Sequence, residues 1–145
     1  MQQFGRLVAA LFCFCALAGL SHAQSNSTPD AMPHSPYPKG SIEDKVFRGG
    51  VTLGVVEAMH GDCALPLGDD AWDQLYYTMK GRTKSDPRLK AILEAGEKAG
   101  DAYVSALVRS KGHDYVCKRL ALQLYSPDGE AYPGLLKPMG PLPKF

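Results

Sequence analysis

Cys63 and Cys117 constrain this chain more than any other two residues, because a bond between them closes a loop across 54 positions. Whether they bond depends on the compartment, and the first residues address that. The chain opens MQQFGRLVAALFCFCALAGLSHAQ, in which Arg6 precedes an apolar run from Leu7 to Leu20 and small residues follow at Ser21 and Ala23. This is the pattern of a secretory signal peptide, with cleavage expected after Ala23. The run falls short of the roughly 20 residues of a spanning helix, and a polar stretch follows it, so no stable membrane span is expected after cleavage. Cys13 and Cys15 each follow a phenylalanine, which argues against lipid attachment, and both leave with the leader. In a periplasmic or secreted setting, the remaining pair, Cys63 and Cys117, is expected as a disulfide. Chain entropy assigns a loop of this length about 4 kcal/mol of stabilisation.

Removing residues 1–23 from 145 leaves 122, which suffices for one core and is too short for two domains. Without Arg6 the 16 Lys and Arg become 15 against 15 Asp and Glu, so the mature chain carries no formal net charge. That balance gives no reason to expect nucleic acid as a partner. Residues 24–40, QSNSTPDAMPHSPYPKG, hold four prolines and no apolar period, and are expected to form a disordered linker. Asn26-Ser27-Thr28 is formally a glycosylation sequon, relevant only to a eukaryotic secretory pathway; the short leader and neutral domain fit a bacterium better.

Residues 41–126 read as four helices. Ser41 followed by Glu43 and Asp44 predicts an N-cap, and Gly61 a C-terminal stop, giving a first helix from about Ile42 to His60. Its valines and Arg48-Gly49-Gly50 also permit a hairpin. The helical reading is preferred, because Ile42, Val46, Gly50 and Leu53 recur at helical spacing and Gly50, Gly54 and Ala58 form a slim stripe. A second helix starts at Gly68-Asp69-Asp70 and closes at Lys80-Gly81, with Trp72, Leu75, Tyr76 and Met79 on one face. Its acidic start lacks the alternating ligands of a calcium loop and reads as capping. Ser85-Asp86-Pro87 opens a third helix running to Lys111, slim in the middle at Gly96 and Gly100. Those glycines each cost about 1 kcal/mol of helix propensity, which close packing on the slim face of the first helix would offset. A fourth helix spans about His113 to Tyr125. Residues 127–145 are Pro-rich yet apolar at Leu135, Leu136, Met139, Leu142 and Phe145, a tail that either wraps the domain or awaits a partner. The expected fold is therefore all-α, a small four-helix bundle-like domain with one disulfide.

Each cysteine has a histidine just upstream. His60-x-x-Cys63 and His113-x-x-x-Cys117 offer two nitrogens and two sulfurs, a tetrahedral donor set for zinc or another divalent metal if the thiols stay reduced. Export favours the bridge over that alternative. No GxSxG, HExxH, phosphate-binding glycine loop or Cys-x-x-Cys motif occurs, so no catalytic residues are assigned, no cofactor is expected, and a small hydrolase stands only as an alternative. Lys80, Arg82, Lys84, Arg88 and Lys90 cluster around the second turn, as a solvated face complementing the helix dipole or as an interaction patch. Trp72, Tyr76, Tyr77, Tyr103, Tyr115 and Tyr125 read first as core.

In size, leader, helical content and one long-range disulfide, the chain is similar to small periplasmic proteins such as acid-stress chaperones and the immunity proteins that neutralise envelope-targeted toxins. The resemblance is architectural and transfers no residue roles. The expectation is an exported, non-enzymatic binding protein of the bacterial cell envelope, whose partner is another protein or a small ligand. Acid-stress chaperone and divalent-metal binder are the alternatives beside the hydrolase.

Overall fold

A computed structural model describes residues 31–138 of the chain. The expected leader, residues 24–30 of the linker and residues 139–145 of the tail lie outside the described residues. Within them the fold is all-helical, with α1 at Ile42–Cys63, α2 at Asp69–Thr83, α3 at Pro87–Lys111 and α4 over residues 113–125. No strand forms among the described residues, and an isolated bridge joins Leu67 to Leu136. The hairpin alternative for the first segment is thereby removed. Valines that favour strands are tolerated in α1 because Val46, Val51, Val55 and Val56 are buried on neighbouring helices, where packing outweighs propensity.

The helix starts follow from their caps. Ser41 accepts a bond from the Asp44 amide at 3.0 Å, while Asp44 accepts one from the Gly40 amide at 2.8 Å, so two otherwise orphaned donors are satisfied reciprocally. Asp86 accepts from the amides of Arg88 and Leu89, with Pro87 in the first turn of α3. The ends are less regular. α1 does not stop at Gly61 but continues to Cys63, and Ala64 takes the left-handed cap at φ 51°. Three links hold the added turn: the cysteine bridge, His60 bonded to the Leu65 carbonyl, and His113 bonded to the Asp62 carbonyl at 2.8 Å. α2 likewise runs past Gly81 to Thr83, whose hydroxyl donates to the Met79 carbonyl at 3.0 Å.

α1 and α3 pack most extensively, and they run parallel. Gly96 lies over Gly50, and Gly100 over Gly54, while Arg88 at the start of α3 pairs at 2.8 Å with Glu43 at the start of α1. In an up-down-up-down chain these two helices are the diagonal pair, which ordinarily stand apart. Here the glycines let their backbones meet, and α2 and α4 each pack on the α1/α3 pair. Beyond each glycine, Leu53, Val56, Met59, Leu93, Val104 and Leu107 fill the core.

α4 is not uniform. Between α-helical turns at His113–Tyr115 and Ala121–Tyr125 lies a π-turn, Val116–Leu120, that contains Cys117. Tyr125 is completely buried, and burial pushes its hydroxyl pKa up.

The described part of the tail wraps the domain. Leu135 and Leu136 are buried, the Leu136 amide bonds the Tyr125 carbonyl at 2.9 Å, and the Lys137 amide bonds the Pro66 carbonyl at 2.7 Å. The tail thus straps α4 to the loop between α1 and α2. Residues 31–40 carry no regular element, as their prolines require, yet Met32 and Tyr37 pack against the core and the Tyr37 ring meets Phe47 edge-on. No helix among the described residues is long and apolar enough to cross a membrane.

Candidate functional site

Two regions gather the chemistry-bearing side chains. The first is the end of the bundle where α1 finishes and α4 begins. Cys63 and Cys117 are bonded, with their Cα atoms 5.2 Å apart. His113, one turn before Cys117 on the same face of α4, places Nε2 3.4 Å from Cys117 Sγ and 2.8 Å from the Asp62 carbonyl oxygen. With both sulfurs in the bridge, Nε2 donates its hydrogen to Asp62. Asp114 accepts from Lys118 at 2.8 Å, and that bond holds its carboxyl below the usual carboxylate range, with the Lys118 charge adding to it.

Of the four residues that the sequence offered as an alternative metal set, three come together: Cys63, His113 and Cys117 have donor atoms within 4.8 Å of one another. His60 is the exception. Its Nδ1 is bound to the Leu65 carbonyl, because the helix continues past Gly61 and the chain doubles back at Ala64 beside the imidazole. Two irregular backbone features adjoin this cluster: Ala64, the one non-glycine at positive φ among the described residues, follows Cys63, and the π-turn holds Cys117.

The second region is α2. Only Met79 and Thr83 of its 15 residues are buried. On its α3 side a hollow of about 460 Å³ is lined by Tyr77, Lys80, Lys84, Lys90, Leu93 and Glu94 among others. The five cations read from sequence as one patch are therefore divided. Lys80, Lys84 and Lys90 share the hollow, Lys80 also pairs with Glu97 at 3.2 Å and lies 5.3 Å from the centre of the Tyr76 ring, and Arg88 is drawn to Glu43. Arg82 does not line the hollow.

On the other flank of α2 a groove of about 280 Å³ runs between Gln74, Leu75 and Thr78 of the helix and Tyr132, Pro133 and Leu135 of the tail. Sequence reasoning missed this groove, since it exists only because the tail wraps back. An aromatic residue in a Pro-rich tail was the available signal. The tyrosines also divide: Tyr125 is core, whereas Tyr77 is 67% exposed and Tyr132 44% exposed, so the expectation of core fails at Tyr77. Position explains it, because Tyr77 follows Tyr76 and turns roughly 100° away from the stripe of Trp72, Tyr76 and Met79.

A third hollow between α1 and α3 is lined by Glu57, Glu97 and Asp101, with Lys98 beside them. Burial raises the Glu57 carboxyl pKa, and the charge of Glu97 raises it further. Comparison with protein-family models, with curated proteins and with solved structures finds no match to this chain.

Proposed function

We propose that the protein is an exported, non-enzymatic binding protein of the bacterial cell envelope, and that α2 is the element it offers to a protein partner. The observation that carries this reading is the pair of solvent-exposed tyrosines, Tyr77 and Tyr132, each lining a hollow on one flank of a helix that buries only two residues. Tyrosine and cationic side chains over an apolar floor are what the energetic centres of protein interfaces use. Around α2 the scaffold is held by a bridge at one end and by a strapped tail, so the surface is presented rigidly at little ordering cost. His60 and His113, the histidines beside the bridge, are bonded to main-chain carbonyls, an arrangement that suits structure better than proton transfer.

The test is retention from envelope extract by the immobilised mature protein, followed by titration of the recovered partner as a pure protein. A one-to-one complex is expected, weakened about tenfold or more by Tyr77→Ala or Tyr132→Ala, the ~1.4 kcal/mol scale of an interface anchor. Neither residue is in the core, so both variants should melt as the wild type does. A partner that binds both variants with unchanged affinity removes α2 from the reading.

One observation favours the acid-stress chaperone as a second reading. Asp44 is buried to 3% exposure, and the Gly40 amide it accepts from lowers its pKa, with Ser35 and Arg48 adding to the effect. Glu43 is lowered by its backbone bonding and by Arg88. A carboxylate depressed in the folded state contributes stability that is complete above its unfolded pKa and lost as pH falls through the folded value. The start of α1 should therefore loosen from about pH 5 downward. Asp44→Asn should lower stability at pH 7 and flatten its fall between about pH 5 and pH 2, measured by urea unfolding at a series of pH values. A domain that stays folded at pH 3 and binds no hydrophobic dye there removes the chaperone reading.

A further inference from the structure

We propose that Cys63, Cys117 and His113 form a redox-gated site for a single thiophilic divalent ion of the zinc class, closed when the two sulfurs are bonded and opened by reduction. The site is distinct from the α2 surface and does not depend on it.

The geometry is close to what such an ion needs. With bonds of about 2.3 Å to sulfur and 2.0–2.1 Å to nitrogen, neighbouring donors on a tetrahedron stand roughly 3.5 Å apart for nitrogen and sulfur. His113 Nε2 is already 3.4 Å from Cys117 Sγ, and all three donor atoms lie within 4.8 Å of one another. The sulfurs have to part to about 3.8 Å, the tetrahedral edge for two thiolates. They sit on the last residue of α1 and in the π-turn of α4, and π-turns are frequent at functional sites. Ala64, directly after Cys63, is held in the left-handed region at φ 51°, a conformation that costs a non-glycine residue energy.

The chemistry balances. A dithiol reductant delivers two electrons and two protons to the bridge and leaves as its own disulfide, giving two protein thiols. On taking up the ion, both thiols release their protons to solvent, and neutral His113 binds through Nε2, so the loaded centre carries no net charge. The imidazole proton then resides on Nδ1, 3.9 Å from Asp114 Oδ1, a carboxylate placed to orient the ring as the outer partner of a ligating histidine does. The Asp62 carbonyl gives up its hydrogen bond and is met by solvent, His113 being exposed. Three protein donors leave the fourth position to water.

The experiment reduces the protein with a trialkylphosphine without oxygen and titrates it with cobalt(II) alone, then with zinc(II). The expected result is one equivalent of cobalt bound with the intense visible bands of a tetrahedral ion and a thiolate charge-transfer band, displaced by zinc. The zinc-loaded reduced protein should also recover most of the thermal stability lost on reduction, which loose binding to unfolded thiols would not do. Oxidised protein should bind none. His113→Ala, whose folding is verified in the oxidised form, should bind at least about tenfold more weakly, and Asp114→Asn about tenfold. His60→Ala should change affinity by less than about twofold. Absence of the tetrahedral bands, zinc that leaves the melting temperature unmoved, wild-type affinity in His113→Ala, or a tenfold loss in His60→Ala each overturns the assignment.

Discussion

Gly54→Ala and Gly100→Ala should each lower stability by about 3 kcal/mol, although alanine is the better helix former at both positions. A Cβ at Gly54 would overlap the Glu97 carbonyl and stand 2.9 Å from the Glu97 Cα, while one at Gly100 would stand 2.7 Å from the Val55 amide nitrogen. These neighbours are backbone atoms of the facing helix, so no rotamer change relieves the contact. The two helices must separate along their whole interface, which also loosens Val51, Val104 and Leu107. Overpacking typically costs 1–3 kcal/mol, and a rigid obstacle on both sides puts these positions at the upper end. For a domain of this size the melting temperature should fall by roughly 12–20 °C. Gly61→Ala and Gly81→Ala are the internal controls: both lie within helices with nothing within 4 Å of the added atom, and each should gain up to about 1 kcal/mol. Thermal unfolding of the four variants side by side checks the sign as well as the size. Equal effects at all four positions would mean that propensity, not helix approach, governs the glycines.

The same glycines mark the limit of what could be read in advance. Their spacing on two segments was visible in the amino-acid order, and it correctly implied that the first and third helices approach closely. That this brings together the diagonal pair, in parallel, is a property of the connections and of where α2 and α4 come to rest, which no single segment encodes. Helix starts were legible because Ser41 and Asp86 act locally, through amides two or three residues away. Helix ends were not, since Gly61 is only permissive and the decision lies with bonds from Cys117 and His113, more than fifty positions downstream.

For the candidate sites the same distinction holds. His113 and Cys117 share a face by helical spacing, so their proximity was legible. His60 leaves the set through a bond to the Leu65 carbonyl, which depends on the turn at Ala64. Lys84 and Lys90 meet across a turn and were found by proximity in sequence, whereas Tyr132 reaches α2 only because Leu135 and Leu136 anchor the tail beneath it. Apolar residues among prolines suggest burial without saying against what.

Replacing both cysteines, as Cys63→Ala with Cys117→Ala, should remove about 4 kcal/mol, the entropy of a loop of 54 positions released in the unfolded chain. Against a total of roughly 5–15 kcal/mol for domains of this kind, the variant should remain folded at 25 °C but unfold at a urea concentration lower by about 2–3 M, with a slope at least as steep because the unfolded chain without the bridge is more expanded. The loss should not be uniform in its local consequences. The C-terminal half of α4 is held by completely buried Tyr125 and by the tail, whose Leu136 amide bonds the Tyr125 carbonyl, and neither depends on the bridge. The N-terminal half has fewer anchors besides the bridge: Val116 is completely buried and Tyr115 packs partly against the core, but residues 113–115 include no fully buried side chain, and the bond from His113 to the Asp62 carbonyl is exposed. Amide exchange in the double variant should therefore accelerate more over residues 116–120, which hold Cys117, than over residues 121–125, because local opening follows local contacts. A midpoint shift below about 0.5 M urea, or uniform exchange along α4, would mean that the bridge merely records a proximity that packing already enforces. The expected gradient instead makes this end of the bundle the part whose order depends on the state of two sulfur atoms, while α2 and the grooves on its flanks keep their shape.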